Sequence, residues 1–497
     1  MLTLYNTLAK AKQEFKPINP GKVGIYVCGP TVYDYCHLGH ARGYVSADVL
    51  RKYLKYLGYE VRHIMNYTDV GHLVNDTETG EDKIQKKAKV EKIDPIEIAN
   101  KYIKLCKKDF DDLNIEPATS NPRPTQYIAQ IIKFNEDLIK KGFAYEVNGS
   151  VYFSVDKFLE YGKLSGKKKD DLISGSRVEI NLDKKNHLDF ALWIKADKEH
   201  ILKWPSPWSL GYPGWHIECS VMSSELLGQD TFDIHGGGNE NAFPHNENEI
   251  AQSEAYLGKK MANYWFLWNM VMVDGQKMSK SLGNFTTIRD ALKKYHPAII
   301  RLWILSSHYR SIVNYNEKSL NQAATNFKKI VGWKDKLKNL AEEKTESSSE
   351  TDLLHVYQKR FEEAMNDDLN TPLALSVLYE LITETNKLIV ENKLSAETAK
   401  NILSFWEKTN KVMGLDVKKY TIKEKNKNIY KPKSGRLSVE KGTSKDIVKS
   451  IIKLAEERVA VRENKDFKAS DDLRDRIEKL GYAIEDLKDN KYSIRKK

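Results

Sequence analysis

The feature that most constrains this chain is a β-α-β opening. Val23-Gly-Ile-Tyr-Val-Cys28 is a short β-rich run that ends at Gly29-Pro30. A helical pattern follows from about Gly39 to Leu57, and a second strand runs from Glu60 to Met65. Two strands joined by a helical crossover lie parallel, and such units build doubly wound sheets whose ligands sit beyond the carboxyl ends of the strands. The expected fold class is therefore α/β, with a Rossmann-type parallel sheet.

Downstream, Ile103 to Leu113 and Tyr127 to Lys141 read as amphipathic helices. The lysine-rich stretch Lys163 to Asp171 reads as a solvated loop within an insertion. Strand and loop material resumes around Phe232 to Phe243. From Tyr315 to Asn410 the pattern is almost wholly helical, which predicts a bundle broken by the polar stretch Ala341 to Thr351. Residues 418–436 carry Lys418, Lys419, Lys423, Lys425, Lys427, Lys431, Lys433 and Arg436 against the single acid Glu424. That run reads either as a solvated linker or as a direct polyanion contact. A small helical tail is expected from about Thr443 onward.

Composition narrows the class. With 497 residues, 40% hydrophobic and 30% charged, the chain is too apolar for disorder and too charged for a membrane protein. Its 80 Lys+Arg against 69 Asp+Glu leave a net charge of +11, which suits a polyanionic partner. Four cysteines, Cys28, Cys36, Cys106 and Cys219, are too sparse for a disulfide framework and fit a reducing compartment. Met1-Leu-Thr-Leu-Tyr-Asn6 has no basic segment followed by an apolar one, so no signal peptide is expected and the location expected is cytoplasmic. The most apolar stretch, Tyr264 to Val273, is interrupted by Asn269 and is far short of the roughly 20 residues a membrane span needs.

Three constellations carry chemistry. His37-Leu-Gly-His40 lies where the first strand hands over to a helix, and a helix N-terminus with two imidazoles favours phosphate; a surface pair or a metal pair fits the same four residues. Asp274-Gly-Gln-Lys277-Met-Ser-Lys280-Ser-Leu-Gly-Asn284 is a glycine-flanked loop whose two lysines can close on a triphosphate, or an exposed basic turn. Cys28 ends the first strand, Trp215 and Cys219 share a helical face after Pro213-Gly214, and His245 and Glu249 share another after Pro244. Two thiolates, one imidazole and one carboxylate make a plausible tetrahedral Zn²⁺ set. Buried apolar thiols and a surface ion pair account for the same residues.

The pairing of His37-Leu-Gly-His40 with Lys277-Met-Ser-Lys280-Ser281, more than 200 residues apart, resembles the nucleotide-binding motifs of class I aminoacyl-tRNA synthetases. Cys28-Gly-Pro-Thr-Val-Tyr33, Trp208 through Cys219, His235-Gly-Gly-Gly238, Phe243-Pro-His-Asn-Glu-Asn-Glu249, Asp367-Asp-Leu-Asn-Thr-Pro372 and Asp471-Asp-Leu-Arg-Asp-Arg476 follow in order, and together they resemble the cysteinyl-tRNA synthetase family nearly end to end. The resemblance implies an ATP-dependent ligase that activates L-cysteine as cysteinyl-adenylate and transfers it to the 3′ end of tRNA(Cys). One Zn²⁺ would be held by Cys28, Cys219, His245 and Glu249, with Mg²⁺ accompanying ATP. A soft metal binds the substrate thiolate far better than the hydroxyl of serine, a discrimination an ordinary pocket supplies poorly.

The same resemblance assigns His37, His40, Lys277 and Lys280 to ATP binding and catalysis. Trp215 is assigned to the side-chain pocket, Thr68 to the substrate amine, and His235 to the active site in an unspecified role. Arg462, Phe467, Asp471, Arg474 and Asp486 fall where the family reads the anticodon, a task suited to stacking and to hydrogen bonds from Arg and Asp. Implied domains are 1–120 and 201–275 for the halves of the Rossmann catalytic domain, with 121–200 a connective insertion. They continue with 276–320 for the loop and stem-contact region, 321–415 for the tRNA-binding bundle, 416–442 for a basic linker and 443–497 for a small anticodon-recognition domain. A monomer is implied, and no membrane partner.

The chain departs from the family pattern at several points. His245-Asn246 replaces a pair of histidines, Val70-Gly-His-Leu73 replaces an acidic Ile-Asp-Asp-Lys segment, and Glu240 stands where aspartate is usual. Phe467 replaces a tryptophan, and Lys491-Tyr-Ser-Ile494 replaces the usual close. Two rival readings remain at this stage: a cysteine ligase acting on a small amino sugar, and a non-catalytic tRNA-binding protein of the same fold. The basic run with the Asp471–Arg476 segment speaks against the first, and the intact His37/His40 and Lys277/Lys280 pairs against the second.

Overall fold

The computed structural model describes residues 1–74, 80–168, 183–228, 230–279, 282–342, 351–415, 427–430, 432, 435–440, 443–464, 466–486 and 492–496. The chain divides into two compact units, Met1–Tyr420 and Thr421–Lys497.

The first unit is built on four parallel strands, β1 (Lys22–Val27), β2 (Glu60–Met65), β3 (Phe232–Gly238) and β4 (Ala262–Trp268), in the order β4-β3-β1-β2. Helix α1 (Leu38–Tyr56) makes the β1-to-β2 crossover within one residue of the expected span. The order reverses between β1 and β3, and the carboxyl ends of those two strands open the crevice where doubly wound folds bind ligands. Every residue of β3 is buried, as befits an interior strand of such a sheet.

Between β2 and β3 lie α2 (Lys83–Glu91), α3 (Pro95–Asp112) and α4 (Ile128–Lys140). Helix α3 starts earlier than the periodicity suggests, because Asp94 caps the Ile96 amide and Pro95 sits at the first helical position, where no donor is needed. The insertion is a five-stranded sheet in the order Ala144–Val147, Ser150–Phe153, Phe190–Lys195, Leu210–Pro213, Trp204–Pro205, with every pairing antiparallel. It therefore extends past residue 200 to Pro213, where α5 (Trp215–Leu227) begins. Residues 163–168 form no helix or strand, as the lysine content predicts, and 169–182 fall outside the described residues.

Helix α6 (Glu247–Leu257) connects β3 to β4, and after β4 come α7 (Ile288–Lys294) and α8 (Pro297–Leu305). The expected bundle then follows as α9 (Glu317–Ala341), α10 (Thr351–Asn366), α11 (Thr371–Val390) and α12 (Ala396–Met413). Sheet and bundle share one apolar core, in which Val23 and Ile25 of β1 belong to the same cluster as Trp303, Trp333 and Trp406. Two buried arginines tie the parts together. Arg42 on α1 donates to the carbonyls of Ile304, Ser307, His308 and Ser311. Arg301 on α8 donates to Asp48 on α1 and to the carbonyls of Leu113, Asn114 and Met413.

The second unit corrects two expectations. Within the stretch 416–442, taken above as linker, Lys427–Tyr430 and Gly435–Glu440 are strands. They join Tyr492–Lys496 and Tyr482–Asp486 in one four-stranded sheet beside α13 (Lys445–Glu463) and α14 (Phe467–Lys479), so the tail is mixed and not purely helical. The lysines hide a period-two signal: Leu437 and Val439 are buried against Ile451, Ile477 and Ile494. Residues 416–426 lie outside the described residues.

Asp48 is buried between Arg301 and Lys52. Burial alone would raise its pKa, but Arg301 and Lys52 outweigh it and hold the carboxyl below its usual value. Its contribution to stability is thus complete above the unfolded pKa of about 3.9 and is lost as pH falls below that. Asp48→Asn should cost about 3–5 kcal/mol by leaving Arg301 buried without its counter-charge, read as a lowered denaturant midpoint at pH 7.

Candidate active site

At the switch point the chain leaves β1 at Cys28, whose amide donates to the Gly236 carbonyl of β3 at 3.0 Å. Gly29 is required next, since a Cβ there would stand 1.5 Å from the Asn66 carbonyl oxygen. The Asn66 side-chain oxygen accepts from the Gly29 amide at 2.8 Å, and its Nδ2 donates to Thr68 Oγ1 at 3.0 Å. These contacts frame a cavity of about 240 Å³ that has Cys28, Cys219 and His245 at one end and His37, Gly39 and His40 at the other.

Cys28, Cys219, His245 and Glu249 converge, all four buried, with one ligating atom from each lying within 4.8 Å of the others. Cys28 Sγ is 3.8 Å from Cys219 Sγ, 3.7 Å from His245 Nε2 and 3.4 Å from Glu249 Oε1, and the last two atoms are 3.0 Å apart. Donors about 2.0–2.3 Å from a common centre at tetrahedral angles lie about 3.3–3.8 Å from one another. The spacing and the S₂NO donor chemistry therefore fit a tetrahedral metal such as zinc. Pro244 does not open a regular helix as the sequence suggests: Ala242–Asn246 form a π turn with Phe243 out of helical geometry, and α6 starts at Glu247. His245 and Glu249 meet nonetheless.

Charges in the cluster are mutually sustained. Burial pushes the Glu249 carboxyl up, yet the imidazoles of His235 and His245 pull it well below the carboxylate range. Burial opposes a charged His245, but Glu249 and Cys219 push its pKa up to about 10. The bond with Cys28 brings the Cys219 thiol down to about 6, while the same bond and burial push Cys28 well up. Around the four donors stands a supporting set. His235 Nε2 meets Glu249 Oε2 at 2.8 Å, Asn246 Nδ2 donates to Glu249 Oε1 at 2.9 Å, and His216 Nδ1 meets His245 Nδ1 at 2.9 Å.

At the other end His37 caps α1. His37 Nδ1 accepts from the Gly39 amide at 3.1 Å and His40 Nδ1 from the His37 amide at 3.3 Å, with the rings stacked at 3.8 Å. With Nδ1 an acceptor, a neutral ring carries its proton on Nε2, so each presents an N–H donor beside the helix N-terminus. Burial and the neighbouring His37 keep the His40 pKa well below its usual value, so His40 is neutral at pH 7. The lysine loop docks here: the Leu38 amide donates to the Thr286 carbonyl at 3.1 Å, and Phe285 packs on His37 at 5.1 Å. Lys277 is exposed on a short strand, and its charge acts on Glu240. Lys280 falls outside the described residues.

Of the remaining expected residues, Thr68 and Trp215 line the cavity. Trp215 packs tilted against His245 at 4.3 Å and stacks on His72 at 3.9 Å. His235, expected in the active site in an unspecified role, is wholly buried, stacked on Trp265 at 4.2 Å, and meets Glu249 Oε2 at 2.8 Å. Cys36 and Cys106 lie in the core, apart from the cluster. In the second unit Asp486 accepts from Arg458, from Arg462 at 2.7 Å and from Arg474 at 3.3 Å. Phe467, Asp471 and Arg474 share a face of α14 at i, i+4 and i+7, and Phe467 is 63% exposed.

Sequence reasoning missed Asn66, Asn246, His216 and the pair His72 and Lys83. An asparagine has no motif of its own. His72, however, sits in the segment that departs from the family pattern, and that departure was a usable signal.

A family model described as "tRNA synthetases class I (C) catalytic domain" matches residues 14–325, and one described as "DALR domain" matches residues 360–418. The cysteine–tRNA ligase of Chlorobaculum tepidum is 42% identical, covering 100% of this chain and 99% of its own. That of Chlorobium chlorochromatii is 44% identical over 98% of each. Among solved structures, methionyl-tRNA synthetase of Mycobacterium tuberculosis shares the fold at a TM-score of 0.57 and 14% identity, over 79% of this chain and 88% of that one. With full-length relatives at this identity and both domain families in the order its own motifs take, the chain belongs to the cysteine–tRNA ligase family of class I synthetases.

Proposed function

We propose that this chain is a cysteine–tRNA ligase that activates L-cysteine with ATP and passes it to tRNA(Cys). The observation that carries the reading is one cavity joining a two-thiol, imidazole and carboxylate cluster to a helix N-terminus capped by two histidines.

Cys28, Cys219, His245 and Glu249 hold Zn²⁺, with His235, Asn246 and His216 fixing the orientation of the ligands. When bound, zinc supplies a soft site for the thiolate of the substrate, which separates cysteine from serine. Trp215 walls the side chain and Thr68 receives the amine. In the first step a cysteine carboxylate oxygen attacks the α-phosphorus of Mg·ATP, and the bond to the bridging oxygen breaks to release pyrophosphate. The carboxylate is already ionised at pH 7, so no general base is required. The Nε2–H donors of His37 and His40 stabilise charge on the phosphates, and Lys277 and Lys280 add cations from the loop. In the second step a hydroxyl of the terminal ribose attacks the acyl carbon and AMP leaves.

The second unit reads the anticodon. Phe467 offers an exposed ring for stacking, and Arg462 and Arg474, both bonded to Asp486, offer donors. This favours tRNA over a small amino-sugar acceptor.

Cysteine-dependent ATP–pyrophosphate exchange and zinc content, measured on one sample, test the reading; zinc-loaded protein without exchange would overturn it. Cys219→Ser should lose zinc and exchange together. Lys280→Ala should keep zinc and slow exchange about 100-fold or more, the scale expected for removing one group that stabilises transition-state charge. Phe467→Ala should leave exchange intact and lower kcat/KM for tRNA about 10-fold, as the loss of one stacked base predicts.

A further inference from the structure

Val70-Gly-His-Leu73, the segment that departs from the family pattern, meets the turn that carries Trp215 at three points. Val70 and Leu73 share a buried apolar cluster with Tyr212. Gly71 has a φ of +79°, and a Cβ there would stand 2.6 Å from the Pro213 carbonyl oxygen, so a glycine is what lets the two segments approach this closely. The His72 ring is buried and lies face to face with the Trp215 indole at 3.9 Å and 10°. Both His72 nitrogens are engaged, Nδ1 at 2.5 Å from Thr31 Oγ1 and Nε2 at 2.7 Å from Lys83 Nζ, which fixes the plane of the ring.

Trp215 also packs against His245 at 4.3 Å, and both residues line the cavity. The indole is therefore a wall directly beside the four-donor cluster, and the stack with His72 holds that wall in one position.

Such a wall answers a need that the cluster cannot meet. A soft metal separates a thiolate from a hydroxyl, but cysteine and homocysteine, which has one more methylene, present the same sulfur. They differ in where the carboxylate lands once the sulfur is anchored, and a misplacement of about 1 Å can cost about 100-fold in rate. A rigid wall imposes that penalty, whereas a wall that yields lets the longer chain fold aside and bring its carboxylate back into line.

Resting on the ligase reading above, we propose that Trp215 gauges the length of the substrate side chain and that His72 is the positioning residue that holds it. The cluster reads the atom and the stack reads the distance.

The test measures kcat/KM for ATP–pyrophosphate exchange with L-cysteine and with L-homocysteine on the full zinc-loaded chain. The wild type should favour cysteine by about 100-fold, within the range one methylene commands. His72→Ala should keep its zinc and lower that ratio about 3- to 10-fold, the scale of one aromatic pair. The change should come from a gain with homocysteine, whereas general damage to the fold lowers both substrates alike. His72→Phe keeps a ring against Trp215 while removing the polar bonds, and it should restore most of the ratio. Trp215→Ala should lower the ratio at least as far as His72→Ala, and the double variant should fall no further than Trp215→Ala alone. Zinc content and the unfolding midpoint confirm that each variant is folded, and His72→Leu replaces His72→Ala if that one is not. A wild type that accepts both amino acids equally, a ratio unmoved in His72→Ala, equal losses with both substrates, or a His72→Phe as relaxed as His72→Ala would each overturn the inference. Exchange with cysteine reads the ligase assignment separately: an active wild type with an unmoved ratio in the variants overturns only the role of His72, whereas zinc-loaded wild type without exchange overturns the ligase assignment and this inference with it.

Discussion

One ionised carboxylate buried away from bulk solvent governs the catalytic end of this protein. Glu249 is wholly buried, and burying an isolated charge is prohibitive unless it is paired and hydrogen-bonded. His235 and His245 take its two oxygens, and Asn246 adds a further bond. These partners come from two places: His235 from β3, and His245 and Asn246 from the π turn. The carboxylate can stay charged only when β3 and the π turn both meet the first turn of α6, so the electrostatics of the cluster and the packing of α6 on the sheet specify one another.

Helix α1 does for the whole unit what Glu249 does for the cluster. Its N-terminus supplies the dipole and the two capping histidines. Its body carries Arg42 and Asp48, which engage α8 and, through Arg301, the carbonyls of Leu113, Asn114 and Met413. The phosphate-binding turn is therefore not a loop laid on a surface. It is one end of a rod whose other contacts reach the bundle, which gives the site the rigidity that catalysis by positioning demands.

Much of this was legible in the residues. The β-α-β opening is local pattern, so α1 and β2 fall where periodicity puts them. Trp215 and Cys219, and His245 and Glu249, were placed together by helical spacing, and the second pair meets even though a π turn displaces the helix start. Other elements were illegible for stated reasons. The strands at 427–430 and 435–440 are short and masked by lysines, and their apolar alternation has meaning only once α13 and α14 supply something to pack against. His235 could be read as an active-site group but not as a support for Glu249, because nothing in the sequence says which side of a ring faces a ligand.

By itself the sequence determined the kinds of donors, the helix starts that present them and the order of the motifs, because these depend on backbone sterics and spacing within a few residues. Only the tertiary structure decided which donors meet. Residues 28, 219, 245 and 249 converge because β1 pairs with β3 across some 200 intervening residues. His72, Trp215 and Lys83 become one unit because Gly71, at a positive φ that other residues rarely adopt, turns its segment back over the cavity. Such contacts are set by the packing of distant segments, which no local periodicity encodes.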